Sequence, residues 1–236
     1  MDLTQIKGKT VVIIGASRGI GLETARSLHG KGVNLVLGSR HIEGLEQEFH
    51  GNEVYPLFVD VTDEESVKKF TESSIERFGK IDVLINAAGV GKFSNLLDSD
   101  TRDFDHMIAV NLRGTYLTCK YFGRHMVKRN KGQIINLVSI AGTTALAGCG
   151  GYSASKFGVL GLTRVLQAEL RGKGLRITSV IPGAVNTSFW DSIDTKPDAS
   201  SMIPVQAIAE HIIFLLCQPD SYVIDEITIM PQKGIL

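Results

Sequence analysis

The chain of 236 residues has no excess charge of either sign: 25 Lys and Arg stand against 25 Asp and Glu. Such a balance offers no electrostatic footprint to nucleic acid or to an anionic membrane surface. Long apolar runs are missing too. None approaches the roughly 20 residues that a bilayer-spanning helix needs. The opening residues, Met1-Asp2-Leu3-Thr4-Gln5-Ile6-Lys7, lack the apolar region of a secretory signal. Cysteine is scarce. Cys119, Cys149 and Cys217 form an odd, scattered set without metal-ligand spacing, which fits a reducing, cytoplasmic setting and no metal. No internal repeat, low-complexity tract or linker breaks the chain. With 43% hydrophobic and 21% charged residues it reads as one domain over 1–236 with a substantial core.

What is present is alternation. Short apolar runs near residues 10–15, 33–38, 54–59, 81–86, 132–138, 175–181 and 223–229 predict strands, the first of them rich in β-branched residues. Helical patterns near 19–30, 42–50, 63–78, 101–129, 152–171 and 205–217 separate them, the long one bent near Asn111. Such a sequence predicts an α/β fold: a Rossmann-like, doubly wound parallel sheet of about seven strands with helices on both faces. Ligands of that architecture bind at the carboxyl ends of the strands.

The first predicted strand runs into Gly15-Ala16-Ser17-Arg18-Gly19-Ile20-Gly21, and a helix pattern follows. Strand, glycine turn and helix N-terminus together suit a pyrophosphate, because glycines let the backbone approach and the helix end favours an anion. A second cluster comes later. Tyr152 and Lys156 lie in Gly151-Tyr152-Ser153-Ala154-Ser155-Lys156-Phe157-Gly158, thirteen and seventeen residues after Ser139. Four residues apart on a helix, the phenol and ammonium share one face. A cation beside a phenol favours the phenolate, so Lys156 is expected to lower the Tyr152 pKa and tune it for proton transfer at neutral pH.

These motifs, in this order and spacing, resemble the short-chain dehydrogenase/reductase family in its single-domain branch, over nearly the whole chain. Gly15, Gly19 and Gly21, with Ser17 and Ile20 between them, match its glycine pattern. Asp60, with Val61 beside it, matches the acid that meets the adenine amino group. Asn86-Ala87-Ala88-Gly89 matches the segment supporting the sheet beside the cofactor. Asn111 matches a helix residue that holds a water in the proton relay. Pro182-Gly183, with Val185 and Thr187, matches the segment that meets the nicotinamide carboxamide.

The resemblance implies hydride transfer between a nicotinamide cofactor and a ketone or secondary alcohol. Ser139 would polarise the substrate oxygen, Tyr152 would pass the proton, and Lys156 would tune Tyr152 and hold the ribose. In this fold an acid about 20 residues past the glycines usually holds the ribose of NAD. Here Ser39-Arg40 stands in its place, and Arg18 lies in the glycine loop. Two guanidiniums and a hydroxyl suit a 2′-phosphate, so NADP(H) is the expected cofactor.

Three departures qualify the likeness. Ile14 stands where Thr is frequent, Ala87 replaces a second Asn, and the stretch Ile224–Leu236 lacks the usual ending, which bears on the homotetramer or dimer the family implies. A substrate lid is expected within about 188–206, with Phe189, Trp190, Met202 and Ile203 as its covering residues. Substrate candidates are a 3-oxoacyl thioester on an acyl carrier protein, and a small carbonyl or 3-hydroxy acid. Lys128, Arg129, Lys131 and Lys173 are the candidate carrier-docking surface, and Cys149 is a candidate pocket residue. The alternative is an NADP-binding regulator without turnover.

Overall fold

The computed structural model describes residues 3–193 and 196–236. Met1 and Asp2 of the N-terminal segment, and Asp194 and Thr195 of the expected lid, lie outside the described residues.

Seven strands build one sheet: β1 (Thr10–Ile14), β2 (Asn34–Ser39), β3 (Val54–Phe58), β4 (Val83–Asn86), β5 (Gly132–Leu137), β6 (Leu175–Pro182) and β7 (Glu226–Ile229). Their order is β3-β2-β1-β4-β5-β6-β7, and every pairing is parallel. The chain winds outward from β1 to β3, then returns to β4 on the other side of β1. That reversal opens a crevice at the carboxyl ends of β1 and β4. Register brings Ile14 level with both Gly38 and Asn86, and Asn86 level with Asn136.

The central strands are buried on both faces, so alternate residues feed two cores. Val11, Ile13, Leu35, Leu37 and Ile85 enter one core, beneath α1 (Gly19–Leu28) and α7 (Val205–Leu216). Val12, Ile14, Val36 and Leu84 enter the other, beneath α3 (Glu64–Phe78) and α5 (Gly114–Lys128). There Phe70 meets Phe122 edge-on at 6.1 Å. Truncating either ring to Ala would cost about 3–5 kcal/mol. The start of α3 is capped by Asp63, whose carboxylate accepts from the Glu65 N–H at 3.0 Å, and Gly79 ends it in the left-handed region.

All the expected strands and helices are present with shifted ends, the one expected over 42–50 as α2 (Glu43–Glu48). The last strand begins at Glu226, three residues late. The long helix expected over 101–129 is α4 (Thr101–Met107) and α5 joined by a π-helical turn, Ile108–Arg113, that contains Asn111. The expected lid is less loop-like than its polarity suggests. It holds helical turns at Ser188–Ser192 and Ala199–Ser201, and Val185–Asn186 pairs in parallel with Ile203–Pro204. Among the described residues no helix is long and apolar enough to cross a membrane.

Candidate active site

The site is built from strand ends. β1 delivers Gly15 with φ of +85°, and a methyl group there would stand 2.5 Å from the Ala88 amide nitrogen. A methyl on Gly21 would collide with the Gly15 carbonyl. The turn therefore closes only with glycine at both places. Arg18, the residue before α1, gives no side-chain cap. The first amides of α1 are left for an anion.

A cleft of about 810 Å³ runs from this turn across the carboxyl ends of the sheet. Gly15, Ser17, Arg18, Gly19 and Ile20 line one end. Ser39 ends β2 and Arg40 follows it, so neither place carries the acid that would favour NAD. Asp60 and Val61 line the next part. Asp60 accepts from the Thr62 amide at 2.9 Å and the Thr62 hydroxyl at 2.7 Å. Burial pushes its carboxyl up, but those two bonds and the nearby charge of Arg40 prevail and hold it below the ordinary value. Ala87, Gly89, Pro182, Gly183, Val185 and Thr187 continue the lining.

At the far end stand Ser139, just past β5, and Tyr152 and Lys156 on α6 (Gly150–Leu170). Lys156 is 5% exposed and its Nζ donates to the Leu137 carbonyl at 2.8 Å. Burial alone lowers its pKa to about 8. Tyr152 moves the other way, up to about 12. Burial drives that rise, a hydrogen bond with Ser139 opposes it and loses, and Cys149 adds a further push. The expected lowering of the phenol by Lys156 is therefore absent. The ammonium is spent on a carbonyl, and the phenol is walled by rings.

Those rings form a cluster. Phe93 lies 5.6 Å from the Tyr152 ring and Phe189 lies 5.5 Å from it, while Trp190 packs on Phe93 at 6.0 Å. Trp190 Nε1 donates to the Val185 carbonyl at 2.9 Å. Phe189 and Trp190 of the expected lid thus do cover the site. Met202 and Ile203 do not: at 7% and 6% exposure they are buried anchors of the segment.

Three expected site residues lie behind the lining. Gly21 only shapes the turn. Asn86 is buried in a polar network, donating to Asn136 Oδ1 at 2.8 Å and accepting from Thr118 Oγ1 at 2.7 Å. It braces β4 against β5 and α5. Asn111 is a strut: its Nδ2 donates to the Val90 carbonyl and to Ser155 Oγ, both at 2.9 Å, and its Oδ1 accepts from the Val90 amide at 2.9 Å. Its own carbonyl accepts from Thr115 Oγ1 at 2.7 Å. A methyl on Gly89 would touch both Asn111 Oδ1 and Lys156 Nζ, at 3.6 and 3.8 Å. The strut thus stands directly beside the lysine.

The candidate docking surface sits at the wrong end. Arg129 donates to the Ile81 carbonyl at 2.6 Å and pairs with Asp82 at 2.9 Å, just before β4 begins. Lys131 precedes β5 and pairs with Asp220 at 3.3 Å, and Lys173 precedes β6. These positions lie at the amino ends of strands whose carboxyl ends carry the cleft. Cys149 does line the cleft, with its thiol pushed up by burial. Residues that the sequence reading missed include Phe93, His41, Lys196, Ile235 and Leu236. Phe93 had a signal, as an aromatic four residues past Gly89. The last two had none, since the path of the tail brings them there.

Comparison with known proteins agrees with this geometry. The family model for short chain dehydrogenases matches residues 9–198. The chain belongs to the short-chain dehydrogenase family. Like its relatives, this short-chain dehydrogenase is an oxidoreductase of CH–OH and C=O groups. It is 35% identical to a sepiapterin reductase of Chlorobaculum tepidum, over 95% of this chain and 96% of that protein. It is 31% identical to a 3-oxoacyl-[acyl-carrier-protein] reductase of Thermotoga maritima, over 94% and 96%. A solved alcohol dehydrogenase from Thermococcus sibiricus, complexed with 5-hydroxy-NADP, superposes with a TM-score of 0.85 at 33% identity, covering 94% of this chain and 96% of that one.

Proposed function

We propose that this short-chain dehydrogenase is an NADP(H)-dependent reductase of small ketones. The observation that carries the reading is that Arg18, Ser39 and Arg40 line the same cleft as Ser139, Tyr152 and Lys156. A dinucleotide fits the residues present. The glycine turn leaves amides open at one end, Asp60 offers a carboxylate acceptor, and Lys156 and the Pro182–Thr187 segment line the other end. Arg18, Ser39 and Arg40 would hold a 2′-phosphate through charge-assisted bonds. Solved relatives with 5-hydroxy-NADP and NADP bound support that choice.

When bound, the cofactor supplies or accepts the hydride. The chain's own groups do the rest. Ser139 Oγ donates to the substrate oxygen and stabilises the charge that develops there. Tyr152 gives its proton to that oxygen. Burial holds the phenol protonated at neutral pH, so Tyr152 has a proton to give. Lys156 ties the first turns of α6 to the end of β5 through the Leu137 carbonyl, and its ammonium would hold the nicotinamide ribose.

A thioester on a carrier protein is the weaker reading, because the basic residues that would receive the carrier lie away from the cleft mouth. A regulator without turnover is weaker still, since Ser139, Tyr152 and Lys156 are all present and line one cleft. Exposed Tyr116 on α5, and Phe157 and Val165 on α6, support self-association as a dimer or tetramer. The buried thiols of Cys119 and Cys149 suit a cytoplasmic setting.

The test is oxidation of NADPH and NADH, followed by absorbance, against diacetyl, simple aldehydes, a free 3-oxo acid and an acetoacetyl thioester. Turnover of diacetyl with NADPH well above NADH supports the reading. Turnover confined to the thioester overturns the substrate assignment, and equal use of NADH overturns the cofactor assignment.

A further inference from the structure

Beyond β7 the chain turns back over the site. A methyl group on Gly183 would stand 2.6 Å from Pro231 Cδ and 3.2 Å from Met230 Sδ, so the tail crosses directly over the segment after β6. A turn follows, closed by the Gly234 N–H donating to the Pro231 carbonyl at 2.9 Å. Lys233 Nζ donates to Ser201 Oγ at 2.9 Å. The tail is thus held at two places, on Gly183 and on the segment that follows the aromatic cover.

Ile235 and Leu236 end up in the lining of the cleft. They keep 49% and 40% of their surface open. Large apolar side chains held against a cleft wall and left half open gain stability only when something apolar covers them. The catalytic end of the cleft continues the same chemistry with Phe93, Leu146, Phe189 and Trp190, and the lining also carries Lys196.

We propose that Ile235 and Leu236 are specificity-determining residues that receive an apolar substituent of the carbonyl substrate. This rests on the ketone-reductase reading above. The substituent is the arm of the substrate away from the reacting carbon: an alkyl or aryl group of several carbons covers the two side chains. A substrate with only methyl arms does not reach them and takes no benefit.

The experiment compares the wild-type chain with I235A/L236A on two diketones, diacetyl and the analogue in which one methyl is replaced by phenyl. Both side chains are half exposed, so the fold is spared. Two quantities are read: kcat/KM with NADPH, and Kd from the fluorescence of Trp190 with NADP+ present. The expected result is a wild-type preference for the phenyl diketone that falls about tenfold in the variant, with diacetyl unchanged. Equal preference ratios in the two proteins overturn the inference, as does a wild-type chain that favours diacetyl. If neither diketone turns over, the reductase reading has failed, and the ratio of Kd values still decides: its collapse in the variant supports the inference and its persistence refutes it.

Discussion

Lys156 lies one helical turn beyond Tyr152 on α6, yet its Nζ donates to the Leu137 carbonyl and stays 5.7 Å from the centre of the tyrosine ring. The two groups are tuned separately by burial, the ammonium down to about 8 and the phenol up to about 12. Each shift has its own measurable consequence.

The buried lysine weakens the fold. Its folded pKa lies below the ordinary 10.5. Between about 8 and 10.5 the unfolded chain holds a proton that the folded chain has released, so stability rises with pH across that window. Below it the full cost of the buried charge is present, about 3 kcal/mol as an upper figure. Lys156→Met should raise Tm at pH 7 while abolishing turnover, and should flatten the rise of Tm above pH 8. Thermal melts of both proteins over that range test it, and a wild-type Tm that falls across the window contradicts it.

Tyr152→Phe keeps the ring packed against Phe93 and Phe189 and removes only the hydroxyl. Loss of the proton donor should lower kcat by about 10²–10⁴-fold with NADPH affinity retained. Retained turnover would assign the proton to another group.

The rings over the phenol hold its pKa up by excluding water. Phe189→Ala should let water in and move the Tyr152 pKa down from about 12 toward the ordinary 10. Reduction needs the protonated phenol, so activity is lost as pH rises through that pKa. The alkaline limb of the kcat/KM profile should therefore shift to lower pH in the variant. An unmoved limb would mean that this ring does not set the burial.

Arg40 serves two neighbours. Its charge helps hold the Asp60 carboxyl low, and its place after β2 suits a 2′-phosphate. Arg40→Asp should cost NADPH about 1.5–3 kcal/mol, or roughly tenfold or more in kcat/KM, and move preference toward NADH. Parallel assays with the two cofactors measure the ratio, and an unchanged ratio removes Arg40 from the phosphate site.

The sheet was legible because each strand is a short apolar run between helical patterns, and the central ones are buried on both faces. The glycine turn was legible for a similar reason: Gly15 and Gly21 are demanded by contacts within a few residues of the turn or across to the adjacent Ala88. The direction of the Tyr152 shift was not. It depends on Phe93, Phe189 and Leu137, which arrive from three separate segments, whereas helical spacing speaks only of Lys156. The misplaced docking surface has a like cause. Lys128, Arg129, Lys131 and Lys173 look like one patch in the sequence, but which end of a strand they precede decides whether they face the cleft. The tail had no local signature at all, since only the turn after β7 carries Ile235 and Leu236 to the site.

The wide turn at Ile108–Arg113 has a consequence for chain length. A π-turn accommodates one residue more than an α-turn does, so it absorbs an extra residue while the helices on either side keep their phase. Deleting one residue between Ile108 and Arg113 would restore regular winding with Phe104 and Met107 still crowding Gly151 beside Tyr152, and would draw in the bulge from which Asn111 reaches Val90. The spare residue of that turn thus aims one side chain and leaves the length of the helix unchanged.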